Sequence, residues 1–165
     1  MNIMDVLIPF ARTGRIATAR VGAQLNDVTE ELGPPWAHGS STGADGLPYL
    51  YAYGSLEIAT CQAHCQVIES IVVQTDWATM EWPSQKPGRL ERFPGYPAYG
   101  EVLRTLDEAG CPWESYEPLT LDGQCAIRVP ASDVIFVFTT EDEDREEPML
   151  CSVSVANRHP HTCGE

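Results

Sequence analysis

Leu32-Gly33-Pro34-Pro35-Trp36 closes one helical run and Ala109-Gly110-Cys111-Pro112-Trp113 closes another, and these two stretches decide the fold. Glycine takes the left-handed position after a helix at little cost, and a proline just beyond it blocks continuation. Each stop is followed by a turn glycine that opens a strand: Tyr53-Gly54-Ser55-Leu56-Glu57-Ile58 in the first half, Asp122-Gly123-Gln124-Cys125-Ala126-Ile127 in the second. Each half then closes on a matching strand, Ile68-Glu69-Ser70-Ile71-Val72-Val73 and Leu150-Cys151-Ser152-Val153-Ser154-Val155. Read outward from these stops, the chain is α+β. It consists of two tandem pseudo-repeats, each a helix or helix pair packed on an antiparallel three- to four-stranded meander. The units are expected over residues 1–76 and 98–157, with a Pro/aromatic linker at 77–97 and a polar tail at 158–165. Two sheets set side by side suit binding better than chemistry.

Within that frame, residues 3–11 are mostly apolar and predict a short entry helix. Thr13 or Thr18 is positioned to cap a second helix carrying Val21, Leu25, Val28 and Leu32 at one-turn spacing. Residues 37–47 are turn formers and predict a mobile loop. Strands are expected at 49–53, 56–60 and 67–74, then a helix at 99–109. Further strands follow at 124–129, 134–139 and 149–156, with an edge strand near 115–119. The apolar run at 133–138 predicts a place in the centre of a sheet. The linker prolines argue against helix and central strand, and its rings argue against a flexible tether. Its expected role is to cover the groove between the units. Trp36 and Trp113, at equivalent places, predict packing where helix meets sheet.

At 165 residues and 43% hydrophobic content the chain is long and apolar enough to bury a core. Nothing approaches the roughly 18 consecutive apolar residues of a membrane span. Met1-Asn2-Ile3-Met4-Asp5 lacks the basic start of an export signal, which predicts a cytoplasmic protein whose six cysteines are mostly reduced thiols. The net charge is −14, with three basic and eight acidic residues up to position 80 and seven and sixteen after it. Such a field repels phosphate backbones and steers basic partners inward, though it also serves solubility. Neither nucleic acid nor a membrane is therefore an expected partner. Residues 141–147 hold six carboxylates and predict an exposed hairpin loop.

Cys61-Gln62-Ala63-His64-Cys65 and the tail residues His159, His161 and Cys163 have ligand-like spacings. The first pair is C-x3-C rather than the usual C-x2-C, and nothing in the sequence holds the tail beside it, so independent residues are the expectation. In an oxidised chain a Cys61–Cys65 disulfide is the alternative. Cys65 and His64 are sequence neighbours, which on a strand face opposite ways and make no dyad. Gly-x-Ser-x-Gly, His-Glu-x-x-His and phosphate-binding glycine loops are all missing. Asp142 and Asp144 alternate, but without the glycine and final glutamate of a calcium loop. The reading names no catalytic, cofactor or metal residue, and predicts a protein that is not an enzyme.

The helix, Leu32-Gly33-Pro34-Pro35, the aromatic strand and Tyr53-Gly54-Ser55-Leu56-Glu57-Ile58 together resemble the helix-plus-meander module of the β-lactamase inhibitory protein and SmpA-like families. The chain is also similar to small actinobacterial immunity-type proteins with the same tandem layout. The resemblance covers most of residues 15–75 and, more faintly, 98–157. It departs from those families in lacking a secretion signal and a lipobox cysteine. It implies a protein-binding module, in concrete terms an immunity or inhibitor protein that blocks a basic toxin such as a nuclease. Tyr49, Tyr51 and Tyr53 alternate and so share one strand face, which is either core or an anchor row for a partner. The anchor reading makes Tyr49, Tyr51 and Tyr53 the partner-binding residues, with Glu141, Asp142, Glu143 and Asp144 steering the approach. The alternative function is a small-ligand binder or enzyme using the groove between the two sheets, lined by Trp77, Trp82 and Phe93.

Overall fold

The computed structural model describes residues 2–40, 49–61, 65–76, 78–84, 89–140 and 146–157. Helix α1 (Met4–Thr13) buries Met4, Leu7, Phe10 and Ala11, one stripe at helical spacing. Gly14, left-handed at φ 64°, ends it. A short hairpin follows, β1 (Arg15–Ile16) and β2 (Ala19–Arg20). It occupies the place where the helical spacing from Val21 had predicted helix. Helix α2 (Leu25–Leu32) starts only after the left-handed Gly22, and its N-terminal flank is Gln24. Neither threonine caps it: Thr13 Oγ1 donates to the Pro9 carbonyl, and the Thr18 amide donates to Glu31 Oε2. Leu25, Val28 and Leu32 form its buried stripe, and the helix ends at Gly33 as the sequence predicts.

The strands β3 (Ala37–Ser40), β4 (Tyr49–Tyr53), β5 (Leu56–Thr60) and β6 (Ile68–Gln74) are neighbours in that order. Next come β7 (Thr79–Pro83), β8 (Leu90–Pro94), helix α3 (Tyr99–Glu108) and β9 (Glu114–Ser115). A 3-10 turn at Glu117–Leu119 leads to β10 (Gln124–Val129), β11 (Val134–Thr139) and β12 (Met149–Ala156). All the pairings are antiparallel, and the large sheet runs β3-β4-β5-β6-β12-β11-β10-β9. The fold is thus α+β, with helices against antiparallel sheet.

Two expectations are corrected here. The halves are not two sheets with a groove between them. Strands β6 and β12 pair directly, Val73 opposite Val153 and Ile71 opposite Val155, so one eight-stranded sheet runs through. The segment expected as an irregular cover is instead the β7–β8 hairpin, in register from Thr79–Pro94 to Pro83–Leu90. Its two strand prolines sit at the ends of the ladder, where a missing N–H costs little. Met80, Trp82 and Phe93 point into the same core as the helices, so Trp82 and Phe93 do not line a groove; Trp77 lies outside the described residues.

One face of the sheet carries Leu56, Ile58, Ile71, Val73, Val153, Phe136 and Phe138, all fully buried. Against it lie the apolar stripes of α1, α2 and α3 in one continuous core. The Arg12 guanidinium at the end of α1 donates to the Ala109 carbonyl at the end of α3, and Ser132 Oγ, in the β10–β11 turn, donates to the Ala11 carbonyl of α1. The opposite face mixes small and polar side chains, among them Ala52, Glu57, Ser70, Gln74, Ser152 and Ser154, with the apolar Leu50, Val72, Ile135 and Val137. Strand β11 lies inside the sheet, third from the β9 edge, while β6 and β12 hold its centre.

Candidate partner-binding surface

The tyrosine row lies on the helix-covered face of the sheet, because Tyr53 and Tyr51 stand opposite Leu56 and Ile58. Its exposure grades along the strand. Tyr53 is 1% exposed and its hydroxyl donates to the Gly33 carbonyl at 3.2 Å, so it is a core residue and not an anchor. Tyr51 packs half-buried against the core, and Tyr49 is 39% exposed. Burial pushes the phenols of Tyr53 and Tyr51 above the usual tyrosine value.

Residues 37–40, expected as loop, instead form β3 and bring a further ring to the row. His38 pairs with Tyr51 across the strands. Its ring is 6.4 Å from that of Tyr49 at an interplanar angle of 23°, and 6.5 Å from that of Tyr51; the two tyrosine rings are 5.5 Å apart. Trp36, one residue before β3, is 57% exposed, against the expected packing role. Trp113 does pack on the core and donates its indole N–H to Asp107 Oδ1 at 3.0 Å. The outcome is an aromatic patch of His38 and Tyr49, backed by Tyr51, at one edge of the sheet, with Trp36 exposed just before β3. Sequence reasoning missed Trp36 and His38; their spacing of two from each other was the available signal, hidden by the loop reading.

Glu141, Asp142, Glu143 and Asp144, expected to steer a partner, lie outside the described residues, as do His64, His159, His161 and Cys163. At the near end of that segment Glu147 Oε2 accepts the Gly100 amide at 2.9 Å, satisfying a free N–H in the first turn of α3. Among the described residues no group of three or more His, Cys, Asp or Glu is gathered closely enough to hold a metal ion, and no helix is long and apolar enough to cross a membrane.

Two polar depressions lie elsewhere. One, of about 530 Å³, is walled by Ser55, Glu57, Gln74, Glu81 and Arg92. Its carboxylates are already engaged, Glu57 by Gln74 at 3.1 Å and Glu81 by Arg92 at 3.1 Å. The other, of about 620 Å³, lies by Tyr116, Arg128, Asp133 and Ser154, with Arg128 between Glu114 at 3.5 Å and Asp133 at 3.7 Å. Cys111, Cys125 and Cys151 are free thiols. Burial raises all three above the ordinary thiol value, the opposite of an activated nucleophile. No protein-family model, curated protein or solved structure matches this chain.

Proposed function

We propose that this chain is a cytoplasmic, non-enzymatic protein-binding module for a basic partner, in concrete terms an immunity or inhibitor protein that blocks a toxin such as a nuclease. The observation that supports it best is an exposed aromatic patch on a chain of net charge −14. Aromatic side chains at a surface supply rigid contact area, and a negative field accelerates encounter with a positive cleft. Tyr49 and Tyr51 are the anchors in this reading, and Glu141, Asp142, Glu143 and Asp144 act at a distance by steering. The two four-stranded halves of the sheet are, in the same reading, copies of one helix-plus-meander unit, as the resemblance to β-lactamase inhibitory protein and SmpA-like modules implies.

The test is to purify the product of an adjacent gene encoding a basic protein and to measure association at low and at physiological salt. Neutralising Glu141, Asp142, Glu143 and Asp144 to Gln or Asn is expected to slow association and leave dissociation nearly unchanged. Failure of any basic protein to bind, even at low salt, rejects the proposal.

A further inference from the structure

The two edges of the large sheet are treated differently by this sequence. At one end β9 is only two residues long and spends Glu114 on Arg128 at 3.5 Å. Short length and charge are among the devices by which natural sheets blunt an edge against pairing. At the other end β3, Ala37-His38-Gly39-Ser40, is twice as long and carries no Asp, Glu, Lys or Arg. Among the described residues its one strand neighbour is β4. An edge strand turns alternate N–H and C=O groups outward, and these are ready to pair with another extended chain. Among the described residues no atom lies within 4 Å of where a Cβ on Gly39 would stand, so that position of the strand has room for a side chain.

The aromatic patch sits on this same edge. Rings run inward from His38 on β3 to Tyr49 and Tyr51 on β4, and Trp36, two residues before His38 in the chain, is exposed. A strand added at the usual spacing of about 4.8 Å would set one side chain opposite His38, with its alternate neighbours over the same face. Ring faces attract a guanidinium or ammonium within about 6 Å. The neighbouring helix strengthens that preference. Helix α2 carries Asp27, Glu30 and Glu31, all exposed, has no basic residue in its last turn, and ends at Gly33, whose carbonyl is bonded to the tyrosine row. The negative end of the helix dipole therefore lies at the buried, Tyr53 end of the row. A second copy of this chain, itself at −14, would be repelled from the edge, whereas a cationic segment would be drawn to it.

We propose that the edge of β3, which no other strand among the described residues covers, takes an extended arginine- or lysine-bearing segment of a protein partner by strand addition, beside Trp36 and the rings of His38, Tyr49 and Tyr51. This rests on the protein-binding reading above and deepens it. The partner's backbone pairs with β3, and its alternate cationic side chains stack on the rings.

The probe is a capped ten-residue peptide of alternating arginine and threonine, followed by fluorescence anisotropy and by amide NMR shifts. Roughly 150 mM salt keeps the Debye length near 8 Å and suppresses diffuse attraction. Saturable binding is expected, with shifts concentrated at β3 and β4. Two altered peptides separate the contributions: N-methylation at every second residue removes strand pairing, and citrulline for arginine removes charge. Each is expected to weaken binding about tenfold or more. On the protein side, Tyr49→Ala and Trp36→Ala are expected to weaken it about fivefold or more. Gly39→Lys, which has room, should do the same, whereas Gly39→Glu should not. Shifts spread over the whole surface, or an N-methylated peptide that binds equally well, would overturn strand addition. If the edge variants bind an authentic basic partner like wild type, the edge proposal falls and the protein-binding function stands. If no cationic polypeptide binds even at low salt, both fall.

Discussion

The Tyr53 hydroxyl donates a hydrogen bond of 3.2 Å to the Gly33 carbonyl. That bond joins the end of β4 to the residue just past α2, where helix carbonyls lack intrahelical partners. It also divides the tyrosine row by role. Tyr53 holds the helix to the sheet, Tyr51 supports the patch from below, and Tyr49 faces solvent.

Stability should divide along the same line. Tyr53→Phe, which removes only the hydroxyl, is expected to cost about 0.5–1 kcal/mol. Tyr53→Ala leaves a buried cavity and is expected to cost about 3–5 kcal/mol. Tyr49→Ala and Trp36→Ala remove exposed rings and should stay within about 0.5 kcal/mol of wild type. Urea unfolding monitored by circular dichroism measures all four. A Tyr49→Ala cost as large as that of Tyr53→Ala would mean that the row is core along its whole length.

Most of the fold was legible where alternation is strong and a glycine marks the turn. Strands β4, β5, β10, β11 and β12 match their expected ranges, and β6 begins one residue later. The failures have particular causes. Pro83 and Pro94 read as strand breakers, yet both stand at ladder ends, so the β7–β8 hairpin went unseen. Ala37-His38-Gly39-Ser40 has weak strand propensity and forms β3 only through its pairing with β4, a non-local contact that composition does not carry. Val21 fits the helical spacing of Leu25, Val28 and Leu32, but Gly22 intervenes with φ 86°. The facing of the tyrosine row was undecidable from β4 alone, whose other side carries Leu50 and Ala52. The pairing with Leu56 and Ile58 decides it. That the two halves share one sheet depends on β6 meeting β12, and no local pattern encodes that contact.

The docking of the β7–β8 hairpin onto the large sheet hinges on Gly54. It is left-handed at φ 67°, and a Cβ there would lie 2.4 Å from the Glu81 carbonyl oxygen. The neighbouring Ser55 holds the contact from both sides: its N–H donates to the Glu81 carbonyl at 2.7 Å and its Oγ accepts the Glu81 amide at 3.0 Å. Gly54→Ala therefore combines backbone strain with a clash against main chain, and is expected to cost about 2–4 kcal/mol. Gly110 has a similar φ of 62° but open space around it, so Gly110→Ala should cost only about 1 kcal/mol. Thermal melts of the two variants separate clash from conformational cost. Equal losses would show that the hairpin yields freely.

The last prediction concerns alkaline pH. Burial is the leading cause that raises the thiols of Cys111, Cys125 and Cys151 and the phenols of Tyr51, Tyr53 and Tyr99. Each group holds its proton more tightly in the folded chain than in the unfolded one. Its contribution to stability is therefore fully present below the unfolded value and is lost as pH rises through the folded one. Unfolded thiols ionise near pH 8.5 and unfolded phenols near pH 10. The urea midpoint should begin to fall above about pH 8.5 and fall more steeply above about pH 10. Lys86 is the one lysine in the chain, so lysine deprotonation adds little in that window. Replacing Cys111, Cys125 and Cys151 together by alanine should remove the first fall and leave the second. A wild-type midpoint that holds steady to pH 10 would mean that these thiols are as accessible in the folded chain as in the unfolded one.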